Sequence, residues 1–165
     1  MPVPRFILLE VLRIIMEDLS LHILDIAENA TRAGGKRIVI EIAEDENEDS
    51  LTIRIEDDGK GMDARTLEGA TNPFFTTKGG KKVGLGLSLL AQAARQTGGE
   101  LTIESREGVG TKVIAVFRPS HPDMKPMGDI AETMAILIAG NPAVRFAFDH
   151  KTPESHYHFD SFESG

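Results

Sequence analysis

The chain has no cysteine, no tryptophan and a single tyrosine. Without cysteine there are no disulfides, thiolate metal sites, iron–sulfur ligands or cysteine nucleophiles. It also has no long apolar run. The most hydrophobic stretch, residues 6–15, is interrupted by Glu10 and Arg13, whereas a membrane helix needs about 20 apolar residues. The stretch has no small-residue cleavage site either, so neither a membrane anchor nor a signal peptide is expected, and a cytoplasmic location is. A surplus of positive charge is missing as well: 26 acidic side chains face 18 basic ones, a net charge of −8. Nucleic acid is therefore not an expected partner, because binding a phosphate backbone needs a basic face. A small phosphorylated ligand needs only a local cluster of donors and stays open. The 165 residues, 41% hydrophobic and 27% charged, suit an ordinary soluble globular chain with a core of its own.

Hydrophobic periodicity orders the chain. Residues 5–33 read as helical with a break near Asp18, and Leu19, Ile23, Ile26, Ala27 and Ala30 recur at helical spacing until Gly34 and Gly35 stop the helix. Alternating isoleucines mark strands over residues 36–43 and 51–56, separated by an acidic turn. A short helix is expected over 63–69, a polar loop over 71–83 and a helix over 84–97. Two more strands follow at 100–104 and 111–117. This order predicts an α/β two-layer sandwich, a mixed sheet with helices on one face. Pro119, Pro122 and Pro126 then mark a linker, followed by a helix around Ile130–Ile138 and a hairpin alternating through Val144, Phe146, Phe148, Tyr157 and Phe159. The expected division is a helical segment 1–17, a main domain 18–118 and an extension 119–165 that packs on the domain or on a partner. Met16 is an alternative translation start.

Two segments carry the chemistry. In the first helix Asp25, Asn29 and Arg32 stand at i, i+4 and i+7, on one stripe. An amide oxygen is a suitable hard ligand for magnesium. A guanidinium meets a phosphate in fork geometry, and a carboxylate can accept a proton. Taken alone, the stripe also describes a solvated polar helix face. In the second segment, Asp57 ends a strand and is followed by Gly59 and Gly61. Glycine permits close approach of a ligand, and a carboxylate there can accept the exocyclic amino proton of adenine. A surface Asp-Gly turn has the same local pattern. Two weaker segments follow. Residues 81–87 open a helix with Gly84 and Gly86, whose N–H groups attract anions. Gly108 and Gly110 precede Thr111, which stands near Asp57 if the two strands are neighbours.

Together the segments around Asn29, Asp57-Asp58-Gly59-Lys60-Gly61, Asn72-Pro73-Phe74-Phe75-Thr76-Thr77-Lys78, Gly84-Leu85-Gly86-Leu87 and Gly108-Val109-Gly110-Thr111 resemble the Bergerat-fold ATPase domain. That domain is shared by gyrase, heat-shock chaperones, sensor histidine kinases and mismatch-repair proteins. The resemblance covers residues 18–118 and is nearest the histidine-kinase branch. It implies ATP and Mg2+ as cofactors. Asn29 would bind the metal, Asp57 would contact the adenine amino group with support from Thr111, and Gly59, Gly61 and Met62 would shape the purine pocket. Arg32, Lys78 and Lys82 would approach the phosphates. Residues 72–83, with Phe74, would form a lid, and Gly84, Leu85, Gly86 and Leu87 would wrap the phosphates. Asp25 stands where ATP-hydrolysing branches carry a glutamate base and many histidine kinases an asparagine. Only about 17 residues precede the domain, too few for the dimerising hairpin that holds a histidine kinase's phosphoacceptor.

The resemblance therefore implies phosphate transfer to a partner protein in trans. An ATPase switch or a non-hydrolysing ATP-binding module is the alternative. Residues 6–15 are expected either to pack back on the domain or to form a homodimer contact. His22, His150, His156 and His158 are expected to have structural roles.

Overall fold

Ile38, Ile40 and Ile42 of β1 (Arg37–Asp45) and Leu51, Ile53 and Ile55 of β2 (Ser50–Asp57) alternate with polar residues. All six are buried on one face of the sheet. In this computed structural model, which describes residues 3–7, 18–71 and 85–163, that face is the floor of a single core. Helix α1 (Leu19–Arg32) buries Leu19, Ile23, Ile26, Ala27 and Ala30 against it. Helix α2 (Ala64–Glu68) is one short turn capped by Asp63, whose carboxylate accepts the Thr66 N–H at 2.8 Å. Helix α3 (Leu85–Gln96) adds Leu89, Leu90, Ala93 and Ala94 to the buried set. Strands β3 (Glu100–Arg106) and β4 (Gly110–Phe117) complete the central portion, and Val113, Ala115 and Phe117 of β4 point inward. The fold is a mixed sheet layered with helices, as the periodicity predicted.

The residues after Phe117 join the same sheet. Helix α4 (Ile130–Gly140) packs Met134 and Leu137 beside α1. Strand β5 (Arg145–Lys151) pairs parallel with β1, Ile40 opposite Phe148, and β6 (His156–Asp160) pairs antiparallel with β5. The six strands run β3-β4-β2-β1-β5-β6, so β3 and β6 are the edges. Arg145 grips Asp160 through Nε and Nη2 at 2.7–3.1 Å and ties the hairpin ends together.

The linker does more than connect. Asp18 precedes α1 without a side-chain cap. The N–H groups of Leu19 and Ser20 instead donate to the carbonyls of Pro126 and Met127 at 3.0 and 2.8 Å. Two of the four orphan donors of the helix start are thus satisfied by backbone about a hundred residues downstream. Residues 8–17, most of the expected N-terminal helix, lie outside the described residues.

The histidines after the linker pair with carboxylates. His150 meets Glu44 at 2.7 Å, and His156 and His158 meet Asp149 at 2.7 and 3.0 Å. Burial would raise the Asp149 carboxyl, but the bonds from His156 and His158 hold it below the usual value. Among the described residues no cluster of three or more His, Asp or Glu side chains is arranged to hold a metal ion.

Candidate functional site

The C-terminal half of α1 presents the polar stripe beside the end of β2. Asp25 is half-buried and faces the start of α3, where a Cβ on Gly86 would collide with Oδ2 of Asp25. A side chain at position 86 would therefore have to displace the Asp25 carboxylate. Burial raises the Asp25 carboxyl above the ordinary aspartate value; Arg32 pulls the other way and Glu28 adds to the rise. One turn on, Asn29 Oδ1 accepts a hydrogen bond from Arg32 Nη1 at 2.9 Å, and Arg32 Nη2 lies 3.6 Å from Glu28.

Asp57 ends β2 directly opposite Thr111 of β4. Its Oδ1 accepts the Gly59 N–H at 2.8 Å, which fixes the carboxylate plane. Burial raises the Asp57 carboxyl despite the bonds from the backbone of Gly59 and Thr111. Thr111 thus supports Asp57 through its main chain, while its hydroxyl lies 2.7 Å from Ser105 Oγ. Asp58 points elsewhere. Its Oδ1 accepts the N–H groups of Lys36 and Arg37 at 2.7 and 3.0 Å and closes the turn into β1. Gly61 has φ +70°, and a Cβ there would run into the Arg106 carbonyl, so the loop lies flat on the β3–β4 turn. Lys60 stitches both sides, donating to Ala33 O at 3.0 Å and accepting from Gly108 N at 2.7 Å.

Ser105 is a site residue that the sequence did not reveal. Its hydroxyl accepts the Met62 N–H at 2.8 Å, reaches Gly110 O at 3.1 Å and contacts Thr111. It therefore joins the glycine loop to the strand beside Asp57. A serine at an inward position of an alternating strand carries no local signal of such a role.

Between these elements lies a cleft of about 170 Å3. Ile26, Ile55, Met62, Leu87 and Val113 are its apolar walls, and Asn29, Asp57, Lys60 and Thr111 are among its polar ones. Narrow apolar walls with a carboxylate at one end suit a flat heteroaromatic ring that carries an amino group. A second hollow of about 400 Å3 on the opposite face shares Asp57 and Thr111. Much of its rim is charged, with Arg37, Glu56, Glu104, Arg106 and Lys112 beside Val39 and Val109.

Of the residues expected at the site, Asn29, Asp57, Gly61, Met62, Leu87 and Thr111 line this cleft. Gly59 stands behind Asp57, Arg32 is bonded to Asn29, and Asp25 is packed against Gly86. Leu85 is the first residue of α3. Phe74, Lys78, Lys82 and Gly84 lie outside the described residues.

Residues 14–121 match the family of histidine kinase-, DNA gyrase B- and HSP90-like ATPases. The sensor kinase CckA of Brucella abortus (strain 2308) is 43% identical over 82 residues, covering 49% of this chain and 9% of that protein. The sensor histidine kinase ZraS of Escherichia coli O157:H7 is 36% identical over 90 residues, covering 54% of this chain and 19% of that protein. The chain thus spans less than a fifth of the length of these sensor kinases. In three dimensions the ADP-complexed MutL ATPase domain of Aquifex aeolicus superimposes with a TM-score of 0.53 at 16% identity, covering 81% of this chain and 60% of that one. That likeness concerns the fold.

Proposed function

Since the chain belongs to the family of histidine kinase-, DNA gyrase B- and HSP90-like ATPases, and is within it a histidine-kinase-like ATP-binding domain, we propose that it binds magnesium-ATP in the cleft beside Asp57 and passes the γ-phosphate to a partner protein. The observation that carries this reading is the apolar cleft closed by the Asp57 carboxylate, one oxygen of which is held by Gly59 N–H. The other oxygen is then aimed to accept a proton from the adenine amino group.

Asn29 is the residue suited to hold Mg2+. Its side-chain oxygen is a hard donor at the cleft wall, and magnesium takes few protein ligands while keeping its waters. When bound, the ion would offset phosphate charge. Arg32 now donates to that same oxygen, so releasing it would turn the guanidinium toward phosphate, a fork-shaped acceptor it fits well.

The acceptor in this reading comes from another chain. Among the described residues no histidine lines the cleft. His22 is fully buried, and His150, His156 and His158 are bonded to carboxylates. In the transfer, the bond from the γ-phosphorus to the β-phosphate bridging oxygen breaks. A bond from the acceptor oxygen or nitrogen forms, ADP leaves, and a hydroxyl acceptor gives up its proton to a base.

Asp25 supplies the observation for a second reading, an ATPase switch. It is a half-buried carboxylate with a raised pKa beside the helix start that would meet the phosphates, and that is the direction a general base needs. The two readings separate when ATP labelled at the γ-phosphate is incubated with the protein and magnesium. Free phosphate that disappears in Asp25→Asn supports hydrolysis through Asp25. Label that stays in ATP until a co-purifying partner is added, then moves to that partner, supports transfer. Label that never leaves ATP under either condition counts against both.

A further inference from the structure

Asp57, Thr111 and Ser105 stand in one row across three neighbouring strands. Thr111 of β4 is directly opposite Asp57 of β2 on one side and Ser105 of β3 on the other. Directly opposed residues share a face of the sheet, so the three side chains lie side by side. Asp57 and Thr111 line the cleft, and Ser105 stands behind them. Its hydroxyl accepts the N–H of Met62, a wall residue, at 2.8 Å and lies 2.7 Å from the Thr111 hydroxyl.

The partners of Ser105 decide where the hydroxyl protons point. A serine hydroxyl has one proton and two lone pairs. The Met62 N–H only donates to it, and the Gly110 carbonyl, at 3.1 Å, only accepts from it. The proton of Ser105 therefore goes to Gly110 O. Sending it to Thr111 would leave the oxygens of Ser105 and Gly110 facing each other at 3.1 Å with no proton between them. The donor of the 2.7 Å contact is then Thr111. Its one proton is spent on Ser105, and only lone pairs remain for a ligand.

We infer that Ser105 is a positioning residue that holds Thr111 as a hydrogen-bond acceptor, and that the cleft thereby prefers a ring with an exocyclic amino group over one with a carbonyl. The inference rests on the proposed binding of ATP beside Asp57. An amino group carries two protons. The side chains of directly opposed residues stand about 5 Å apart, the spacing of two acceptors that flank one amino nitrogen. Asp57 takes one proton and Thr111 the other. A carbonyl oxygen in the same place meets two acceptors and no proton. Without Ser105 the Thr111 hydroxyl is free to turn and donate to that carbonyl, and the discrimination weakens. Ser105 acts through Thr111 and Met62 and is not itself a wall of the cleft.

The test is calorimetric titration of the full chain and its variants with magnesium-ATP and magnesium-ITP, beside thermal melts. The readout is the ratio of the two dissociation constants, which a role confined to stability leaves unchanged. Ser105→Ala is expected to lower the preference for ATP about tenfold, the worth of one hydrogen bond. Thr111→Val, with Ser105 intact, is expected to lower it at least as far, because the second acceptor itself is gone. In the Thr111→Val background, Ser105→Ala is expected to change the ratio no further, since the hydroxyl it orients is absent. An unchanged ratio in Ser105→Ala or in Thr111→Val overturns the inference and leaves the ATP site standing. So does a further fall in the ratio for the double variant, since Ser105 would then act other than through Thr111. A wild-type chain that binds neither nucleotide, or both equally, overturns the adenine site at Asp57 and this inference with it.

Discussion

Alanine at position 57 is expected to abolish ATP binding while the chain stays folded. The side chain is half-buried at the end of β2, with one oxygen committed to Gly59 N–H at 2.8 Å. That bond is local, and losing it costs about 1 kcal/mol of stability. Ligand recognition loses far more. The remaining walls named above are mostly apolar, and an adenine amino group entering the slot would lose its water and find no acceptor. Sites built to hydrogen-bond a substrate group discriminate by about 10⁴-fold against the unmatched pairing, so a weakening of at least about 100-fold is expected for Asp57→Ala. Calorimetric titration with magnesium-ATP, beside a thermal melt, measures both effects. Unaltered affinity in Asp57→Ala would place the nucleotide elsewhere.

The second large effect is on stability against pH. His22 lies in α1 with no exposed surface, its Nδ1 has no hydrogen-bond partner among the described residues, and its Nε2 is 3.4 Å from Lys125 Nζ. Burial first, and the nearby ammonium second, push its pKa from 6.5 down to about 4. Below pH 6.5 the unfolded chain takes up a proton that the folded chain refuses until about pH 4. The unfolded state therefore binds more protons across that window, and stability rises with pH through it. The contribution is complete above pH 6.5 and is lost as the pH falls toward 4, by about 3 kcal/mol in all. Urea denaturation at pH 7 and near pH 4 measures the loss for the wild type and for His22→Met. Asp25 and Asp57 titrate in both proteins, so the difference between them isolates His22. The wild type is expected to lose about 2–3 kcal/mol more than the variant. Equal losses would mean that His22 is protonated in the folded chain.

The features legible in the sequence are those with a local period or a local loop. Ile38, Ile40 and Ile42 announce a strand because the side-chain repeat of a strand is two. Leu19, Ile23, Ile26 and Ala30 announce the helix that carries Asn29, and Gly59 and Gly61 announce the close approach beside Asp57. The features not legible are contacts between segments far apart in the chain. The Pro126 and Met127 carbonyls that cap α1 are backbone atoms, which any residue supplies. Ser105 acquires its three partners only when β3 lies beside β4 and the glycine loop folds over both. The packing of Asp25 on Gly86 depends on how α3 crosses α1. The parallel pairing of β5 with β1 follows from α4 carrying the chain back across the sheet, and the alternation of Phe146 and Phe148 does not distinguish it from an antiparallel partner. The extension therefore braces the very helix that holds Asp25, Asn29 and Arg32, a relation that no single stretch of sequence contains.

The most direct measurement is a paired calorimetric titration of the wild-type chain with magnesium-ATP and magnesium-ITP, the second carrying a ring carbonyl where adenine has its amino group. Saturable binding of ATP with ITP weaker by at least about 100-fold is the expected result, because the Asp57 carboxylate can accept from the amino group and would face a carbonyl oxygen in ITP. Equal affinities for the two nucleotides, or no binding of ATP, would contradict an adenine site at Asp57.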